Sequence, residues 1–207
     1  PDGELTADNV TINIDDRQGL REMTLKSKYF DATYKSRANY KSVIGYMRSA
    51  LKSYVPMLYD DTVEMLVDGG SVQVDDGYTL FTVVAHEDIN HLLDAIYGGL
   101  LIAPNTEATM VLNPNSNYLS LQASSEAVEF AGALLADCNV NLDNSKDSLA
   151  MSVKSAGLYF GTRSVMPNLL LTGGARHDRI TLSLGFEDVA KEQFGMLGMM
   201  AKFKRDK

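Results

Sequence analysis

The chain predicts an α+β fold: a mixed, mainly antiparallel sheet packed against three to five helices. Three observations carry this expectation. Strand-like alternation runs through a short acidic junction into helical spacing three times over. Residues 72–78 hold the clearest hairpin signal, with Val72 and Val74 leading into Asp75-Asp76-Gly77. Tyr40, Val43, Ile44, Met47, Leu51 and Tyr54 fall on one helical stripe.

The organising segment is 78–102. Leu80, Thr82 and Val84 alternate with Phe81 and Val83, which reads as a strand apolar on both faces and covered on both sides. Ile89, Leu92, Leu93, Ile96, Tyr97 and Leu100 then follow helical spacing, with Glu87 and Asp88 at the positive end of the helix dipole. A second unit runs from 118–122 through Ser124-Ser125-Glu126 into a helix over 127–138. Its stripe is Ala127, Phe130, Ala131, Leu134 and Cys138, and Ser124 or Ser125 is the N-cap. A third runs from 180–184 through Glu187-Asp188 into a helix reaching 203–204, with Phe186, Val189, Met196, Leu197, Met200 and Phe203 in register. Apolar residues recur at matching offsets (Ile89, Ala127 and Val189; Ile96, Leu134 and Met196), a weak strand–helix internal repetition.

Residues 1–8 read as an acidic tail and 9–207 as a single α+β domain, with a subdomain boundary near 141–148. Val10, Ile12 and Ile14 alternate as a half-buried strand, followed by a turn over 15–19. Residues 20–30 fit strand or helix equally, as do 149–159. A helix is expected over 31–54, ended by Pro56, and a shorter one over 60–67. Strands at 109–112 and 118–122 flank an Asn-Pro turn. Strands at 169–171 and 180–184 bracket a long hairpin loop, 172–179.

Charge is segregated along the chain. The net charge of −8 resolves into blocks of −4 over 1–20, +6 over 21–52, −14 over 53–145 and +4 over 146–207. The third block holds no Lys or Arg at all. Such a distribution governs association and solubility more than fold. No apolar run approaches the ~20 residues of a membrane helix, so no membrane span is expected. The one cysteine, Cys138, excludes an internal disulfide framework and reads as a buried free thiol. That fits a reducing setting, the cytoplasm or an assembled particle.

Candidate chemistry is sparse. His86 and His91 stand five residues apart, where two imidazoles on one helix face need four, so no metal is expected. No cofactor is expected either, and three His with one Cys assemble no catalytic triad. Gly173-Gly174-Ala175-Arg176-His177-Asp178-Arg179 offers a loop in which Arg176 and Arg179 would hold an anion, though it matches no phosphate-binding pattern. Lys41, Arg48 and Lys52 lie off the apolar stripe of the basic helix and present its charge. Met196, Met199 and Met200 give the last helix a soft apolar surface, read first as core and second as a partner-binding face.

The function these features favour is non-enzymatic: a structural or assembly protein that self-associates or docks to a protein partner, with unlike charge blocks orienting the encounter. One alternative is nucleic-acid binding through the basic, aromatic-interleaved segment 21–52. Another is a small-molecule site or enzyme built on the 173–179 loop.

Overall fold

The computed structural model describes residues 10–37, 43, 45, 54, 78–113, 116–144 and 148–203. These form one antiparallel sheet of twelve strands. In chain order the strands are β1 (Thr11–Arg17), β2 (Leu20–Lys26), β3 (Phe30–Ser36), β4 (Thr79–Ala85), β5 (Leu100–Ile102), β6 (Glu107–Asn113), β7 (Tyr118–Phe130), β8 (Ala133–Asp143), β9 (Leu149–Phe160), β10 (Arg163–Arg176), β11 (Arg179–Glu187) and β12 (Phe194–Lys202). Among the described residues one helix with an unbroken run, α1 (Ile89–Ile96), interrupts them. Spatial order follows chain order from β1 to β12, except that β5 pairs with β7 off the main path.

The α+β expectation is therefore overturned: the described chain is almost wholly strand. Of the helices expected over 89–102, 127–138 and 187–204, only part of the first exists, and its last residues are β5. Residues 31–36, expected to open a helix, are β3, while Val43, Gly45 and Tyr54 are helical as expected. Residues 127–138 are the end of β7, a two-residue turn at Ala131-Gly132, and the start of β8. Residues 194–202 are β12. The expected 60–67 helix and the 72–78 hairpin turn lie outside the described residues.

Two physical causes explain the false helices. In the 127–138 unit, the stripe Ala127, Phe130, Leu134 and Cys138 joins residues of two strands across a tight turn. Ala131 and Gly132 both have positive φ, 51° and 80°, as a primed hairpin turn requires. In β12 both faces are apolar, which erases the period of two that marks a strand. The acidic junction has a matching explanation. The Asp188 carboxylate accepts the Gln193 N–H at 3.1 Å, closing the β11–β12 turn where the acidic start of a helix was expected.

Pairing registers divide the sheet into two faces. One carries Ile12 and Ile14 of β1, Met23 and Leu25 of β2, and Tyr34, Phe81, Met110, Leu121, Leu142 and Met151 in the strands that follow. It continues through Leu171, Leu184 and Leu197 to the far edge. The opposite face is mainly polar, with Thr24, Thr33, Thr109, Gln122, Asn141, Ser152 and Ser183. An antiparallel sheet wetted on one side alternates in this way.

Among the described residues, cover for the apolar face comes from two places. Val43 is buried against Leu112 and Leu119, with Met110, Leu142 and Leu149 around them. Tyr54 packs on Ala175 near Leu149 and Ile180. At the other end of the strands, α1 buries Ile89 against Tyr29 and Ala85, with Leu92, Leu93 and Ile102 beside it. The Asn90 side chain fixes this end. Its Oδ1 accepts the Ile102 N–H at 2.9 Å and its Nδ2 donates to the Ile102 carbonyl at 3.0 Å, so the amide stands in for a strand along β5.

A transverse crease crosses the longest strands. The ladder skips Glu126 opposite Asp137 in β7–β8, and Ala156 opposite Asn168 in β9–β10. Asp137 and Asn168 have positive φ, 47° and 46°. Above the crease β7 gives Leu119, Leu121 and Ala123 to the apolar face. Below it Val128 lies opposite Ile102, which packs into the α1 cluster on that same face. The pairing register is the same on both sides of the crease, so no residue is inserted; the alternation slips at the unpaired Glu126 and Asp137, and the register shift of β9–β10 lies elsewhere, between Ser164 and Met166. Ser125 and Ser155 brace the crease. Ser125 Oγ donates to the Ala127 carbonyl at 2.8 Å, and Ser155 Oγ accepts the Gly157 N–H at 3.2 Å and donates to the Ala136 carbonyl at 2.5 Å.

Candidate interaction surface

The cover on the apolar face stops short of both margins of the sheet. Ile12 and Ile14 of β1 are exposed, and so are Leu197 and Met199 of β12. On β12 the exposure extends to the other face as well. Met196 is 87% exposed, Leu197 67%, Met199 58% and Met200 65%. These methionines were expected first as core; they are surface, because the segment is an edge strand and not a helix lying on the sheet.

The two edges differ in chemistry. β1 carries Asp15, Asp16 and Arg17 in its second half. Charge on an edge strand discourages pairing with another chain. β12 reads Phe-Gly-Met-Leu-Gly-Met-Met-Ala-Lys, with no charge before Lys202. Among the described residues no strand lies beyond either one.

Of the residues singled out in the sequence, Lys41, Arg48 and Lys52 lie outside the described residues. Arg176 and Arg179 face each other at the end of the β10–β11 hairpin. The expected long loop 172–179 is instead a two-residue turn, His177-Asp178, with φ of 47° and 58°. Gly173 and Gly174 sit in the ladder opposite Leu182 and Thr181, so their N–H groups do not converge on a cradle. Asp178 Oδ1 is buried in this turn without a hydrogen-bond partner.

His86 is held by its neighbours. Its Nδ1 lies 3.0 Å from the Ser27 carbonyl and its Nε2 3.7 Å from Asp31. His91 is exposed on α1, and no cluster of three or more His, Cys, Asp or Glu side chains placed to hold a metal exists among the described residues. Cys138 is buried, as expected, though on a strand, and burial pushes its thiol pKa up. In the basic segment Arg21 pairs with Asp16 at 3.0 Å and Lys35 with Glu22 at 2.9 Å, both across neighbouring strands. These exposed pairs neutralise part of that block locally and add little stability. Its described aromatic residues are not splayed for base stacking: Tyr29 is buried, and Phe30 and Tyr34 are half-buried.

The polar face holds a feature that sequence reading missed. A trough of about 470 Å³ runs across β6 to β9, lined by Glu107, Thr109, Gln122, Ser124, Asn141 and Lys154 among others. Each strand gives it only two or three residues, so no local run of sequence announces it.

Fold and surface together define the class: an antiparallel β-sheet protein with one apolar face, covered in its middle and open at its margins. No family model, curated protein or solved structure matches the chain. Among the described residues no helix is long and apolar enough to cross a membrane.

Proposed function

We propose that the chain is a non-enzymatic protein that acts by association, chiefly with copies of itself, through the open margins of its apolar face. The observation that carries this is β12: an edge strand with no charge before Lys202, whose large side chains stand exposed on both faces. A hydrophobic edge of this kind is a template for pairing, and proteins that leave one unguarded generally use it. The unlike charge blocks along the chain would orient the encounter, and the apolar margin would supply adhesion.

Sedimentation from micromolar to millimolar protein, repeated from low to high salt, tests the proposal. Adhesion through apolar surface persists or strengthens at high sulfate, whereas any share carried by charge fades as salt screens it. A monomer at every concentration and salt overturns the reading.

A further inference from the structure

We infer that β12 pairs antiparallel with β12 of a second copy about a two-fold axis through Gly198; this rests on the association reading above and names its partner and register. Three observations converge on that register.

The first is the hydrogen-bond phase. The β11–β12 hairpin closes with Asp188 N–H donating to Gln193 O at 2.9 Å, and at its other end Phe203 N–H donates to Asp178 O at 2.9 Å. The register between these points is unbroken, Glu187 opposite Phe194 through Arg179 opposite Lys202. Bonded and non-bonded pairs alternate in an antiparallel ladder, so Gly195, Leu197, Met199 and Ala201 exchange hydrogen bonds with β11. Phe194, Met196, Gly198, Met200 and Lys202 point their N–H and C=O groups outward.

The second is sequence symmetry. Read outward from Gly198, the strand is nearly the same in both directions. Leu197 mirrors Met199, Met196 mirrors Met200, and Gly195 mirrors Ala201. A two-fold axis at Gly198 sets each residue against its mirror: Gly198 against Gly198, Met196 against Met200, Leu197 against Met199. Every residue with outward backbone groups then meets another such residue, and about ten hydrogen bonds close the ladder. A register displaced by one residue would set outward groups against inward ones.

The third is what the pairing buries. Leu197 and Met199 lie on the apolar face beside Leu184 and Leu182, so joining two copies makes that face continuous across the axis. Met196 and Met200 meet on the other face, where Lys202 is the one charged residue of β12 and falls opposite Phe194, with Arg179 and Glu187 of β11 alongside. Both strands together with their flanking side chains approach the ~1,000 Å² that separates specific interfaces from incidental ones. That area suits a reversible dimer. The charged edge β1 makes a poorer partner, and β12-to-β1 pairing would propagate without closing.

Single cysteines placed in a Cys138→Ala chain read the register directly. Residues facing each other as a bonded pair have Cα atoms about 5.5 Å apart, within reach of a disulfide. Gly198→Cys should cross-link to itself under mild oxidation. Its side chain is tolerated, since a Cβ there meets nothing within 4 Å. Met196→Cys and Met200→Cys should each fail alone and cross-link when mixed. In a chain otherwise unchanged, Gly198→Pro deletes an outward N–H and spares the β11 ladder, so it should weaken dimerisation roughly tenfold while leaving monomer circular dichroism intact. A dimer that cross-links through Met196→Cys alone, or through none of these, overturns the register and leaves association standing. Open-ended oligomers also overturn it, and a monomer under all conditions overturns both.

Discussion

Replacing Asn144 with Ala should cost this protein roughly 3–4 kcal/mol, which can be built up bond by bond. Asn144 is buried just past β8. Its Oδ1 accepts the Leu119 N–H at 2.7 Å, while its Nδ2 donates to the Tyr54 hydroxyl at 3.0 Å and the Asn117 carbonyl at 2.8 Å. Its own N–H donates to the Leu119 carbonyl at 3.1 Å, so side chain and backbone together extend the ladder by one pair. Three lost side-chain bonds at about 1 kcal/mol each give most of the total, and the buried Leu119 N–H left without an acceptor supplies the rest. Tyr54→Phe removes one of the three and should cost about 1 kcal/mol. Urea unfolding followed by circular dichroism reads both. At a slope of ~2–3 kcal/mol per molar urea, Asn144→Ala moves the midpoint down by on the order of 1.5 M. If Asn144→Ala stays within 1 kcal/mol of the parent, or Tyr54→Phe costs as much as Asn144→Ala, the side chain does not join Tyr54 to the sheet as described.

Other substitutions test separate parts of the fold. Leu112→Ala empties a site walled by Val43 and Leu119 and should lower stability by about 3 kcal/mol in thermal melts; a loss under ~1 kcal/mol would mean that this cluster is not core. Gly195→Ala should destabilise by about 1–3 kcal/mol, because the new Cβ would stand 2.4 Å from the Phe186 ring that lies over the glycine; a neutral or stabilising result in the same melts contradicts that contact. The Cys138 thiol should label slowly with a disulfide reagent in the native protein and rapidly once unfolded. Its raised pKa also sets a pH dependence. The contribution is intact below the ordinary thiol value of 9.0 and is lost as pH rises through the higher folded-state value, because the unfolded chain releases the proton first. Cys138→Ala should therefore flatten the fall in stability above pH 9.0, and a fall unchanged in that variant would refute the cause.

Local chemistry in the sequence located several features correctly. The alternation of Leu80 to Val84 marked β4, Val10 to Ile14 marked β1, though β1 is exposed throughout and not half-buried as expected, and the spacing of Ile89, Leu92, Leu93 and Ile96 marked α1. Cys138 read as a buried thiol, and it is one, though on a strand and not on the expected helix stripe. These readings depend only on neighbours a few residues apart, where side-chain direction follows directly from backbone type.

Sequence alone pointed to a helical period over 127–138 and 194–202, where the structure has two strands joined by a tight turn and an edge strand. Hydrophobic spacing of three and four arises from a helix, but also from a tight turn joining two strands, or from an edge strand apolar on both sides. Only the pairing of Phe130 with Ala133, and of Leu184 with Leu197, separates these cases. The polar trough and the mirror symmetry of β12 are non-local in the same sense. One gathers residues from four strands, and the other gains meaning only once β11 fixes which backbone groups point outward. Composition and local spacing determined that apolar residues would share a face; hydrogen bonding between distant segments decided that the face belongs to one sheet, and that its far edge is open.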